Sequence, residues 1–156
     1  MATIERCRRI STTGEDLKIV EVEEETIKDF LDREWKPVNE SIFGRYDPTM
    51  WDVQRYTLAA YEDERVVGAA VFKIEAGLGK LSQIITVSEH RGKGLGGALL
   101  TKFEDICRRE GCHKTSLKTY WNSEAQRFYE KHGYVLEGVL RRDLHGLDMC
   151  QMCKFL

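Results

Sequence analysis

The strongest constraint on this chain is one short stretch, His90-Arg91-Gly92-Lys93-Gly94-Leu95-Gly96-Gly97-Ala98, set between an apolar run that reads as a strand and an amphipathic run that reads as a helix. The first turn of a helix holds N–H groups with no intrahelical partner, and glycines at 92, 94, 96 and 97 leave the backbone open to close approach. Arg91, Lys93 and the helix dipole add positive potential, so the segment suits a phosphate or diphosphate. A nucleotide-binding P-loop needs Gly-Lys followed by Ser or Thr, whereas Gly92-Lys93 is followed by Gly94. Gly92, Gly94 and Gly97 do satisfy G-x-G-x-x-G. The dinucleotide fold, however, wants that loop after an early parallel strand and an acidic residue closing the next one, where this chain has Thr119-Tyr120-Trp121-Asn122.

The surroundings of the loop define the fold class. Residues 55–61 and 66–74 read as strands joined by Glu62-Asp63-Glu64-Arg65, and Gly77-Leu78-Gly79 turns the chain into a strand over 81–87, an antiparallel meander. Beyond the loop, Leu99, Phe103, Ile106 and Cys107 share one face of a helix that Gly111 can end, and a strand follows over 113–119. Ser123 and Gln126 stand at capping-box spacing before a helix with Phe128 and Tyr129 on its apolar side and Gly133 at its exit. Strands over 134–141 and 147–155 close the chain. A β-α-β unit after an antiparallel meander requires a mixed sheet with its two central strands parallel, which is the α+β class. Upstream, the pattern predicts a strand over 17–22, a helix over 24–34, and a second short helix plus loop over 35–52, where both prolines, Pro37 and Pro48, fall.

At 156 residues and 42% hydrophobic content, one domain over 1–156 can bury a core without metals or disulfides. A net charge of −2 from 24 basic and 26 acidic residues supplies no broad basic field, which argues against nucleic acid as a partner. The charged start lacks the apolar stretch of a secretory signal, and no run approaches the roughly 20 apolar residues of a membrane span, so a soluble, cytoplasmic protein with no membrane partner is expected. The odd set Cys7, Cys107, Cys112, Cys150 and Cys153 suits reduced thiols. Cys150-x-x-Cys153 lies on a strand, where positions three apart point to opposite faces, so no metal site is expected.

The loop also reads Arg91-x-x-Gly94-x-Gly96, which resembles the (Q/R)-x-x-G-x-(G/A) signature of GNAT superfamily N-acetyltransferases. The strand ending Ile85-Thr86-Val87 before it, and Asn122-Ser123-Glu124-Ala125-Gln126-Arg127-Phe128-Tyr129 to Tyr134 after it, extend the resemblance from Arg55 to the C-terminus. It implies a GNAT-like mixed central sheet flanked by helices on both faces. It further implies acetyl-CoA as donor, without a metal. The pantetheine would lie between splayed parallel strands against the backbones of Ile85 and Val87. The diphosphate would rest on Arg91, Gly92, Lys93, Gly94, Leu95, Gly96 and Gly97, and Asn122 would serve as a further cofactor contact.

The implied chemistry is direct attack of a neutral amine on the thioester, which needs a polarised carbonyl and a proton for the departing thiolate. Tyr129 matches the family's general acid; a phenol with an ordinary pKa of about 10 is protonated at neutral pH. The amide of Val87 or its neighbour would polarise the carbonyl. Some relatives carry a glutamate base on the strand before the loop, where this chain offers only Ser82 and Gln83. Glu75, His90, Tyr120 and His145 are the substitutes, alone or through water. The acceptor stays open among a small-molecule amine, a peptide N-terminus and a lysine, because cofactor motifs do not specify it. Homodimers are common in such proteins. A non-catalytic acyl-CoA-binding or sensing domain is the second reading of the same loop.

Overall fold

The computed structural model describes residues 8–12 and 15–156. Two compact units divide the chain, Met1–Asp47 and Pro48–Leu156.

In the first unit, β1 (Arg8–Thr12) and β2 (Glu15–Ile19) form an antiparallel pair with Arg8 opposite Ile19 and Thr12 opposite Glu15. The strand expected over 17–22 therefore starts earlier and stops at Ile19. Helix α1 (Glu24–Phe43) begins where the sequence places it, with Glu24 and Glu25 in its first turn. It then runs through Pro37, so the residues expected to form a separate short helix are its final turns. A proline interior to a helix removes its own N–H bond and crowds the carbonyl one turn back, yet its φ is near the helical value, and the turns on both sides carry α1 across. Gly44, at φ 73°, closes α1 by donating its N–H to the Glu40 carbonyl at 2.9 Å.

The second unit opens with a 3-10 turn (Pro48–Trp51) and continues into a six-stranded sheet. Its strands are β3 (Gln54–Glu62), β4 (Arg65–Glu75), β5 (Leu78–Thr86), β6 (Lys114–Tyr120), β7 (Val135–Leu140) and β8 (Met149–Phe155), in the order β3-β4-β5-β6-β8-β7. Only β5 and β6 pair in parallel, as the β-α-β reading requires. The turn into β5 is made by Ala76 and Gly77, both at positive φ, while Gly79 already lies in the strand. Gly79 is there for another reason: a Cβ on it would sit 2.3 Å from the Cys107 sulfur.

Helices α2 (Leu95–Arg109) and α3 (Glu124–Lys131) pack side by side on one face of this sheet. Leu99, Leu100, Phe103, Ile106 and Cys107 form the buried stripe of α2, spaced as the helical period demands. Phe103 meets Phe72 of β4 edge-on at 4.8 Å, and Phe72 stacks on Tyr56 of β3 at 5.0 Å. Leu117, Cys150 and Met152 complete the same core from β6 and β8. Cys107, Cys112, Cys150 and Cys153 are buried free thiols. Cys7 lies outside the described residues. Among the described residues no cluster of acidic, histidine or cysteine side chains could hold a metal, and no helix is long and apolar enough to cross a membrane.

Candidate active site

The parallel pairing of β5 with β6 is brief. It runs from Leu78 opposite Lys114 to Leu81 opposite Leu117 and stops, although both strands continue. At that point the β4–β5 register jumps, from Phe72 opposite Leu81 to Val71 opposite Gln83, leaving Ser82 as the extra residue of a bulge. A bulge bends its strand, so the end of β5 leaves β6 while keeping its partner β4.

The ladder phase tells which amides this frees. The Val87 N–H donates to the Val67 carbonyl at 2.9 Å, which makes Gly68 and Thr86 a non-hydrogen-bonded pair and Ala69 and Ile85 a pair that exchange both bonds. The backbone groups of Ile85 and Val87 thus face β4, and those of Ile84 and Thr86 face the gap. Ile85 instead presents its side chain, 65% exposed.

A cleft of about 640 Å³ starts at this gap, lined by Ile84, Ile85 and Thr86 on one side and by α3 on the other. Its far end is the glycine loop. Gly94 caps α2 at φ 89° with no side-chain cap, and Ala98 is the first amide of the helix to bond back, to the Gly94 carbonyl at 3.0 Å. Among the described residues, no acceptor partners the amides from Gly92 to Gly97. The glycines divide by cause: 92 and 94 sit in the left-handed region with open space around them, whereas a Cβ on Gly97 would lie 2.7 Å from His132 Nε2. Such an array of outward amides at a helix start, with Arg91 beside it, is an anion cradle.

The α3 wall is made of side chains. Glu124, Ala125, Phe128, Tyr129 and His132 recur at helical spacing along its cleft face. Ser123 caps the helix, its Oγ accepting the Gln126 N–H at 3.1 Å, and Gln126 Oε1 reaches back to the Asn122 N–H at 2.7 Å, a capping box displaced by one residue. Gly133 at φ 85° ends it: Gly133 N–H bonds the Glu130 carbonyl and Tyr134 N–H bonds the Tyr129 carbonyl, a Schellman motif. Its apolar contact is Tyr134 on Tyr129, ring centroids 5.8 Å apart.

Tyr129 is buried, yet its hydroxyl has no partner among the described residues and is not sealed from solvent, so it opens to the cleft. Burial pushes its phenol up to about 12. His132 bonds the Phe128 carbonyl through Nδ1 at 2.8 Å. A carbonyl only accepts, so Nδ1 carries the proton and Nε2 faces Gly97.

The structure brings together Ile85, Arg91, Gly92, Gly94, Gly96, Gly97 and Tyr129 from the residues that the sequence singles out. Val87, Lys93, Leu95 and Asn122 do not line the cleft. Leu95 turns its side chain to the core, Lys93 is exposed, and Asn122 occupies a left-handed position (φ 56°) ahead of α3. Of the substitutes for a base, only His90 lines the cleft, next to Arg91 and with Nε2 3.3 Å from Glu62 Oε2. Hydrogen bonds from Lys73 and Lys80 hold the Glu75 carboxyl below the usual range, Tyr120 is exposed, and His145 lies in a 3-10 turn (Leu144–Gly146). His132 and the Ile84 and Thr86 amides escaped sequence reasoning. Extending the helical period from Phe128 and Tyr129 by one turn finds His132; the strand phase is invisible without its partner.

A run of unpartnered amides at the start of α2, a parallel pair parted by a bulge and a tyrosine open to the gap are set in a sequence that matches the acetyltransferase (GNAT) family over residues 21–134. The chain belongs to that family. It is 32% identical over 77 residues to a Bacillus subtilis (strain 168) protein named "Uncharacterized N-acetyltransferase YjcF", a match covering 49% of this chain and 54% of that one, so about half of that relative's length is spanned. A crystal structure of an acetyltransferase from Bacillus cereus ATCC 14579 superposes with a TM-score of 0.68 at 22% identity, over 89% of this chain and 98% of that one. The Escherichia coli ribosomal-protein-S18-alanine N-acetyltransferase superposes with a TM-score of 0.58 at 20% identity, over 64% and 67%. In this GNAT member the cleft belongs to the unit that holds the whole mixed sheet.

Proposed function

We propose that the chain is an N-acetyltransferase that moves an acetyl group from acetyl-CoA to an amine. One observation carries this: the unpartnered amides from Gly92 to Gly97 stand at the end of a gap whose β5 edge offers the free backbone groups of Ile84 and Thr86. Pantetheine amides can satisfy that edge as a missing strand would, leaving the diphosphate on the cradle and Arg91. The residues fit the donor, which supplies an activated acyl group. Ile85 contributes its side chain to the arm's path rather than its backbone, and the Val87 amide is already bonded to Val67. Lys93 supplies long-range charge, and Asn122 shapes the start of α3.

The amine nitrogen would bond the acyl carbon as the carbon–sulfur bond breaks, Tyr129 would give its proton to the leaving sulfur, and the surplus proton of the new amide would pass to solvent, from which the Tyr129 phenolate would recover one. The raised phenol keeps that proton available across neutral and mildly alkaline pH. Since the family match spans residues 21–134 and so crosses from one unit to the other, both are read as parts of one acyltransferase domain. The buried free thiols suit a reducing compartment such as the cytoplasm. Calorimetry with CoA and an assay for amine-dependent release of its thiol across amine and peptide panels test the reading. Binding without turnover on any acceptor would leave a sensing domain, and no binding at millimolar CoA would remove the cradle.

A further inference from the structure

An ion pair that the chemistry above does not use, its carboxylate buried and its ammonium half-buried, ties α2 to the α3 wall of the cleft. Glu104 of α2 is almost fully buried, and its Oε2 receives Lys154 Nζ of β8 at 2.8 Å and an Arg108 nitrogen at 3.3 Å. The same Lys154 ammonium donates to the carbonyl of His132 at 3.0 Å. His132 is the C-cap of α3, and its carbonyl is one of the helix-end acceptors that the Schellman bonds leave open. Lys154 also stands 5.8 Å from the Tyr134 ring centroid, and Tyr134 is fixed by the 3.1 Å bond between its hydroxyl and Thr115 Oγ1. The His132 ring in turn closes on Gly97. A circuit results: Glu104 in the middle of α2, Lys154, the last carbonyl of α3, the His132 ring, and back to the first turn of α2.

Tyr129 sits inside this circuit, one turn before the clamped carbonyl and packed on Tyr134. A neutral cap such as water satisfies a helix end equally well, so stability alone does not call for burying the Glu104 carboxylate against a lysine fifty residues away. What the pair adds is a fixed distance between the helix that offers the anion cradle and the helix that offers the phenol. We infer that Lys154, held by Glu104, is a positioning residue that sets the Tyr129 hydroxyl against the cleft by clamping the C-terminal carbonyl of α3. The inference rests on the acyl-transfer reading of Tyr129.

The test compares Lys154→Met, Lys154→Arg and the double variant Glu104→Gln/Lys154→Met, which leaves no unpaired buried charge. Expected is a kcat about tenfold lower in Lys154→Met with the acetyl-CoA KM changed less than about twofold, largely restored in Lys154→Arg. The double variant should regain the melting midpoint but not kcat. A double variant that regains both, or a loss of CoA affinity matching the loss of turnover, overturns the inference. A second arm needs no acceptor: in protein labelled with ¹³Cζ-tyrosine, the resonance assigned by Tyr129→Phe should move in Lys154→Met and in the double variant and return in Lys154→Arg. An unmoved resonance overturns the clamp, while a wild type inert toward every amine removes the acyl-transfer reading and leaves this arm standing.

Discussion

The two walls of the cleft are built from different materials. The glycine loop offers backbone: its amides stand open because nothing else among the described residues takes their bonds. The α3 wall offers side chains, and their hold reaches beyond the helix: Tyr129 packs on Tyr134 just past its end, the His132 ring meets Gly97 of α2, and the helix end is held by Lys154 of β8. A backbone site is fixed by local conformation, whereas a side-chain site inherits its precision from the packing around it.

If that division is right, the walls can be broken separately. Gly94→Glu puts a strained left-handed residue and a carboxylate into the anion cradle, and should weaken CoA binding about 100-fold, ~3 kcal/mol, in calorimetry. Tyr129→Phe removes one oxygen from the other wall, and should lower kcat about 100-fold while leaving the CoA dissociation constant within about twofold. A Tyr129→Phe variant that loses affinity instead would mean that the phenol binds the donor rather than serving as acid.

Smaller changes sharpen the contrast within the loop itself. Gly92→Ala meets open space but must hold φ at 71°, so it should cost about 1 kcal/mol of stability in denaturant unfolding with CoA affinity nearly unchanged. Gly97→Ala has no such strain, yet its methyl would displace the His132 ring. It should leave the unfolding midpoint close to wild type and reduce kcat by roughly threefold to tenfold, because the disturbance passes into the α3 wall.

The same contrast explains what could be read in the sequence. The meander, the loop, α2 and α3 carry their own signals: alternation, a helical stripe, Ser123 with Gln126, Gly111 and Gly133. The Arg91–Gly96 motif points to a backbone site for the same reason, since glycines announce such sites locally. Where two remote segments decide, the local pattern is silent. The resemblance points to the backbones of Ile85 and Val87, while the Ser82 bulge and pairing to β4 set the phase that turns the backbones of Ile84 and Thr86 toward the gap. Gly79 reads as a turn residue because nothing near it reveals Cys107 across the core. Pro37 falls where the sequence suggests a second short helix plus loop, whereas the turns on either side of it carry α1 through.

The last test is the mildest and concerns titration. The acceptor amine gives the chemistry an ascending limb as it loses its proton, so a descending alkaline limb would belong to the proton donor on the α3 wall. An unfolded tyrosine loses its proton near 10, while desolvation holds Tyr129 at about 12 in the folded chain. A raised folded value means that the stability tied to this group is complete below about 10 and is lost as pH climbs from there to about 12. Cys107, also pushed up to about 12 by burial against an ordinary value near 9, starts the same decline earlier. The melting midpoint should therefore be level to about pH 9 and fall above it, while kcat at saturating amine shows no descending limb between pH 8 and pH 10. A kcat that halves near pH 10 with the fold intact would place the Tyr129 hydroxyl in bulk water, and the packed wall would then be no more shielded than the glycine loop.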